Sequence, residues 1–265
     1  MTAKLVLVGG GRMGEALLAG LLSSGWAGSA SELAVAEKVA PRRDELTARY
    51  PGLVVGEDVV AADGSIIAVK PGDVADACRA VAAAGTRRVL SIAAGVTIAS
   101  LEAAVGDGVP VVRAMPNTPA LVGAGAAAIA AGTSATGDDL DWAEGLLSAV
   151  GTVVRVPEKL LDAVTGLSGS GPAYVFLVAE ALIEGGVLAG LPRDVAVTLA
   201  TQTLAGAGRM LVETGSTPEE LRAQVTSPGG TTAAGLRALE AAGVRSAFLE
   251  AVAAATARSR ELGAT

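Results

Sequence analysis

Thr226-Ser227-Pro228-Gly229-Gly230-Thr231-Thr232 puts hydroxyls and flexible backbone at a break between two stretches of helical pattern. A helix that opens here leaves backbone N–H groups without intrahelical partners, and such a terminus attracts anions. The segment therefore suits a carboxylate held beside a hydroxyl donor. A Pro-Gly loop followed by a threonine N-cap is the competing reading.

A second candidate site lies near the start of the chain. Gly9-Gly10-Gly11-Arg12-Met13-Gly14 fits G-x-G-x-x-G on Gly9, Gly11 and Gly14, directly after a strand-like Leu5–Val8 and before a leucine- and alanine-rich helix. In that context the first glycine permits a tight turn and the second lets backbone approach a pyrophosphate. The third allows close helix–strand packing, and the helix N-terminus supplies a positive field. Glu37 follows 23 residues after Gly14, near the place where an acid accepts the ribose 2′-hydroxyl of NAD. Lys38, Arg42 and Arg43 come next and suit the 2′-phosphate of NADP. Both readings stand beside a simple solvated charge run, and the three cations tilt the expectation toward NADP.

Further strand ends add polar and small residues. Ala68-Val69-Lys70-Pro71 ends the fourth strand, where α/β proteins bind ligands. Ser91-Ile92-Ala93-Ala94-Gly95 ends the fifth with side chains small enough for a flat ring to lie on backbone. Asn117 sits between Pro116 and Pro119 after the sixth, offering an amide to cofactor or substrate, or a turn cap. In Leu167–Tyr174 the expected arrangement is Ser170 as N-cap with Pro172 in the first helical turn.

These residues need a scaffold that brings strand ends together. Leu5–Val8, Leu33–Ala36, Leu53–Val55, Ile66–Val69, Val89–Ile92 and Val111–Ala114 read as strands. They alternate with helical stretches at 13–24, 41–49, 73–84 and 97–105, which predicts an α/β fold with a mostly parallel, doubly wound sheet. Ala126–Ile129 and Thr152–Val156 flank a helix near 138–149. From 158 to 263 only helical patterns follow, so a boundary is expected near Pro157. The apolar run 171–191 carries Glu180 and Glu184 and reads as a buried helix rather than a membrane span. It is apolar on nearly every face, more than a small helical domain can cover, which points to a second subunit.

Composition narrows the chemistry. The 265 residues are 51% hydrophobic but only 2% aromatic, with 35 glycines, so the interior must pack on small residues. A net charge of −7 argues against nucleic acid. With no histidine, a Ser-His-Asp hydrolase and a His-liganded metal site are excluded, and no metal is expected. Cys78, the single cysteine, rules out an internal disulfide and suits a reducing cytoplasm, and the strand-like Lys4–Val8 leaves no room for a secretion signal.

In order along the chain, GGGRMGEAL (9–17), AVKP (68–71), SIAAGV (91–96), RAMPNTPALVG (113–123), LSGSGPAYVF (167–176) and VTSPGGTTAAGLRALE (225–240) resemble the pyrroline-5-carboxylate reductases. Arg12 departs from the small polar residue more common there. The resemblance implies a Rossmann-like domain over 1–157 and a helical substrate-binding and dimerisation domain over 158–265. It implies reduction of the cyclic imine 1-pyrroline-5-carboxylate to L-proline by NADPH or NADH, in a homodimer or an assembly of such dimers. A small molecule is then the partner, with neither nucleic acid nor membrane. The nucleotide would lie against Gly9–Gly14, Glu37, Lys38, Ala68–Pro71, Ala93–Gly95 and Asn117. Ser227, Gly229, Gly230, Thr231 and Thr232 would hold the substrate, with the Thr232 hydroxyl donating to the ring nitrogen. Two rivals remain: a β-hydroxyacid dehydrogenase and a non-catalytic nucleotide sensor. The first needs a lysine on a second-domain helix, whereas the four lysines are Lys4, Lys38, Lys70 and Lys159.

Overall fold

A computed structural model describes residues 3–263. The chain forms two compact units: one runs to Ser170 and is rejoined by the stretch from Ala254, and the other is Gly171–Ala253.

The first unit is built on an eight-stranded sheet. Its strands are β1 (Ala3–Val8), β2 (Leu33–Ala36), β3 (Val54–Gly56), β4 (Ala62–Ile67), β5 (Val89–Ser91), β6 (Val111–Met115), β7 (Gly125–Ala131) and β8 (Gly151–Arg155). The order is β3-β2-β1-β4-β5-β6-β7-β8. β1 to β6 are parallel, and β7 turns antiparallel to β6 before pairing parallel with β8. The helices of this unit are α1 (Arg12–Ser23), α2 (Ala40–Arg49), α3 (Val74–Ala83), α4 (Ile98–Val105), α5 (Gly137–Ser148) and the short α6 (Leu161–Val164).

Side chains of a strand alternate between faces, and the core divides accordingly. Leu5, Leu7, Leu33, Val35 and Ile66 pack with Leu17, Leu18 and Leu21 of α1, Leu46 of α2 and Leu146 of α5. Val8, Ala36, Ile67, Val89 and Val111 face the other way, onto Val74, Cys78 and Val81 of α3 and Leu101 of α4. Helices thus cover both faces, as the alternating pattern predicts. β1 and β4 are neighbours although β2 and β3 lie between them in sequence, so the strand order reverses at their carboxyl ends. A crevice opens at such a point.

β4 spans Ala62–Ile67 rather than the expected Ile66–Val69. Asp63, Gly64 and Ser65 carry little strand propensity, but tertiary contacts override it. A Cβ on Gly64 would lie 2.4 Å from the Trp142 ring, so only glycine fits beneath the indole. The buried Ser65 hydroxyl is satisfied by Thr86 at 2.8 Å. Cys78 is also buried, and burial pushes its thiol up to about 11 despite the nearby Arg79, leaving it protonated and inert at neutral pH.

The second unit contains α7 (Gly171–Leu188), α8 (Arg193–Glu213), α9 (Pro218–Gln224), α10 (Thr231–Ala241) and the start of α11 (Val244–Gly263). The run expected as a buried helix is helical, but no residue of α7 is buried within the protomer. Val175, Phe176, Leu177, Leu182 and Leu188 of α7 and Leu199, Leu211 and Val212 of α8 are exposed. By length and composition, two stretches of the described residues could cross a membrane: Glu158–Leu188, which ends in α7, and α8.

The entry into α7 differs from the expected cap. Thr165–Gly169 form a π-turn with Ser170 N–H donating to Thr165 C=O at 2.8 Å, and Ser170, which closes that turn, has right-handed helical dihedrals rather than the extended ones of an N-cap. α7 still begins directly after Ser170 with Pro172 in its first turn, as expected. Pro172 explains the widening: it has no N–H for the carbonyl four residues back, that of Ser168. That carbonyl accepts instead from Asn117 Nδ2 at 3.0 Å.

Candidate active site

The glycine run occupies the turn from β1 into α1. Gly9 has φ +104°, and a Cβ there would lie 2.6 Å from the Ala68 carbonyl oxygen. A Cβ on Gly14 would come within 2.2 Å of the Gly9 oxygen. Gly11 is the N-cap of α1, and a Cβ there meets nothing within 4 Å. The backbone thus presents an open, side-chain-free helix start, the cradle that a pyrophosphate requires.

Gly10 is held from both sides. Its N–H donates to Glu37 Oε2 at 2.8 Å, and its carbonyl accepts from Arg42 Nε at 2.7 Å. Arg42 also pairs with Glu15, which receives Arg49 at 2.6 Å and the Tyr50 hydroxyl at 3.3 Å. Burial pushes the Glu15 carboxyl up, but the hydrogen bonds and charges of Arg42 and Arg49 outweigh it and hold the group below its ordinary 4.5. Arg42, a candidate phosphate ligand by sequence, is instead part of the support behind the loop.

A groove of about 580 Å³ runs along the carboxyl ends of the strands. Gly9 and Gly11, Glu37 and Lys38 after β2, Glu57 and Asp58 after β3, and Ala68, Val69 and Lys70 after β4 line it. Glu37 accepts from Val39 N–H at 2.9 Å as well as from Gly10. Lys38, Lys70 and Arg12 are exposed. Pro71 opens the 3-10 turn that ends the β4 exit. Met13 is half-buried against the core. Ala93 is buried after β5, Ala94 is exposed beside it, and Gly95 is half-buried near Leu262 of α11.

Asn117 is buried and both ends of its amide are engaged. Besides the bond to Ser168, its Oδ1 accepts from Ala126 N–H at 2.8 Å. It fastens the β6 exit to β7 and to the π-turn, a role the flanking prolines do not reveal. Asn117→Leu removes the partner of the Ser168 carbonyl and of the Ala126 N–H, both only partly shielded from water, and the protein should lose about 1–3 kcal/mol of stability. Denaturant titration reads this, and an unchanged midpoint would remove Asn117 from the frame.

In the second unit, Gly229 has φ +69°, a conformation that only glycine adopts without strain. Gly230 is the N-cap of α10 and donates its N–H to Ser227 C=O at 3.0 Å. No threonine side chain caps this helix. The Gly230 amide is therefore spent inside the turn, and the free donors begin at Thr231. Among the described residues, no hydrogen bond engages the hydroxyls of Ser227, Thr231 or Thr232. Flexible backbone, open helix N–H groups and three uncommitted hydroxyls converge within six residues.

Residues 158–262 match the family model described as pyrroline-5-carboxylate reductase dimerisation, and residues 4–95 match one described as NADP oxidoreductase, coenzyme F420-dependent. The chain is 48% identical over 268 residues to the pyrroline-5-carboxylate reductase of Synechocystis sp., covering 99% of each. It belongs to the pyrroline-5-carboxylate reductase family. The reductase of Coxiella burnetii superposes with a TM-score of 0.93 over all of both chains at 36% identity. The Plasmodium falciparum enzyme, solved with NADP bound, gives 0.84 at 29% identity over 98% of each. The family likeness runs through both units, not through a shared nucleotide domain alone, and it leaves the β-hydroxyacid dehydrogenase and sensor readings without support.

Proposed function

We propose that this chain reduces 1-pyrroline-5-carboxylate to L-proline with NADPH, accepting NADH as well, as the last step of proline biosynthesis. The observation that carries the reading is the near-full-length likeness to curated reductases of that name. When bound, the nucleotide supplies the hydride for the C=N carbon. Gly9–Gly14 hold its pyrophosphate, and Glu37 and Lys38 meet the adenosine ribose. The β4 and β5 exits, Ala68–Pro71 and Ala93–Gly95, form the surface for the nicotinamide end. Asn117 holds the neighbouring β6 exit to β7 and to the π-turn.

The residues 226–232 handle the substrate. The N–H groups of Thr231 and Thr232, aided by the helix field of α10 and the Ser227 hydroxyl, hold the carboxylate. Gly229 and Gly230 shape the turn that exposes them. Thr232 Oγ donates to the ring nitrogen and fixes its orientation as its electron pair develops. An imine that enters already protonated needs no further acid, which agrees with a chain lacking histidine.

The active form is a homodimer in the cytoplasm, any larger assembly being built from that dimer. A second copy, rather than lipid, covers the apolar faces of α7 and α8, since α7 also carries the exposed Glu180 and Glu184. Net charge −7 disfavours nucleic acid. Purified protein should oxidise NADPH in the presence of the imine and form proline, with a light-scattering mass twice the chain's 25.9 kDa or a whole multiple of that dimer mass. Absence of proline with either nucleotide would return the sensor reading, and a monomer mass at micromolar concentration would refute the dimer.

A further inference from the structure

Arg42 and Arg43 are adjacent in sequence, yet their guanidinium groups do different work. Arg42 is committed to the Gly10 carbonyl, Glu15 and Glu45. Neither arginine lines the groove itself, and Arg43 reaches it through residues that do. Arg43 Nη1 donates to the carbonyls of Glu37 at 2.9 Å and Lys38 at 2.8 Å. Its Nη2 lies 3.6 Å from the carboxylate of Glu57. Glu37, Lys38, Glu57 and Asp58 all line the groove where the second strand ends. In nucleotide-binding sheets, that strand end meets the ribose 2′ position, where an acid suits a hydroxyl and an arginine suits a phosphate.

We propose that Glu57 sets the preference between NADPH and NADH by competing with the 2′-phosphate for Arg43. The proposal rests on the reading of the chain as an NAD(P)H enzyme. Two carbonyls fix Arg43 in place, so one edge of its fork faces a single anion, either the Glu57 carboxylate or a phosphate. A 2′-phosphate must displace Glu57 and sit beside its negative charge. A 2′-hydroxyl is neutral and does neither. Asp58 and Glu37 add to that negative field, and Lys38 opposes it. Glu57 is largely exposed, its side chain retaining 66% of its accessible surface, so screening keeps the effect modest.

The test is equilibrium titration of the full-length protein with NADP⁺ and NAD⁺, without substrate. Glu57→Gln should tighten NADP⁺ binding about two- to fivefold, the range of a solvent-screened ion pair, and leave NAD⁺ within experimental error. Arg43→Met should weaken NADP⁺ selectively, whereas Arg42→Met, acting through Gly10, should weaken both nucleotides by the same factor. Equal shifts for the two nucleotides in Glu57→Gln, or a selective loss in Arg42→Met, would overturn the assignment. Failure of the unaltered protein to bind either nucleotide would sink the NAD(P)H reading itself, a separate result.

Discussion

Thr232→Ala should lower turnover roughly ten- to hundredfold, the scale of one lost positioned donor. The hydroxyl forms no bond within the described protein, so its removal strips nothing from the fold. Gly230 is the cap of α10, and Thr232 is two residues further on. Alanine is also the better helix former, and Thr232 is only half-buried, so the melting temperature should hold or rise slightly. The nucleotide groove lies in the other unit, and NADPH affinity should be unaltered. The defect thus belongs to kcat, with a smaller change in KM because the N–H groups proposed to hold the carboxylate remain. Thr232→Ser, which restores the hydroxyl, should recover most of the rate. Turnover of the alanine variant equal to that of the unaltered enzyme would take Thr232 out of the mechanism.

The second large effect comes from a matched pair of glycines. Gly14→Ala forces a methyl into the Gly9 carbonyl, 2.2 Å away, so the β1–α1 turn must move. Overpacking of this kind costs about 1–3 kcal/mol, and the nucleotide cradle deforms with it. Gly11→Ala adds the same methyl where nothing lies within 4 Å and φ is an ordinary −66°. Its stability should fall by no more than about 1 kcal/mol, the cost of alanine at an N-cap, yet nucleotide affinity should fall at least tenfold, because the side chain occupies the space that backbone must offer a pyrophosphate. A thermal melt with nucleotide titration separates the two cases. Tight nucleotide binding by Gly11→Ala would mean that the phosphates lie elsewhere.

Much of this was legible in the sequence. Hydrophobic periodicity placed the strands other than β4, and α1 to α5, to within a few residues, since β-branched runs and glycine breaks alternate cleanly. β4 was the exception, because its first half is held by Trp142 and Thr86 rather than by propensity. Motif spacing located the glycine cradle. It could not say where a side chain turns, and so Arg42 and Arg43 read as equivalent cations. Only the fold reveals that one grips the Gly10 carbonyl and the other leans on Glu57. Ser170 read as a cap because a serine before Gly-Pro usually is one. The carbonyl orphaned by Pro172 and claimed by Asn117, 51 residues earlier than Ser168, has no local signature. Likewise α7 looked buried by composition, and composition does not say which molecule does the burying.

The unburied α7 also bears on how the cell must make this protein. A helix whose apolar side chains find no cover in their own chain is a debt every newborn copy carries off the ribosome. Until a sibling arrives, such a chain presents what holdase chaperones and proteases recognise. The supply of active enzyme then rises faster than the number of chains translated, because the chance of meeting a sibling grows with abundance. A gene expressed at very low level would yield disproportionately little proline.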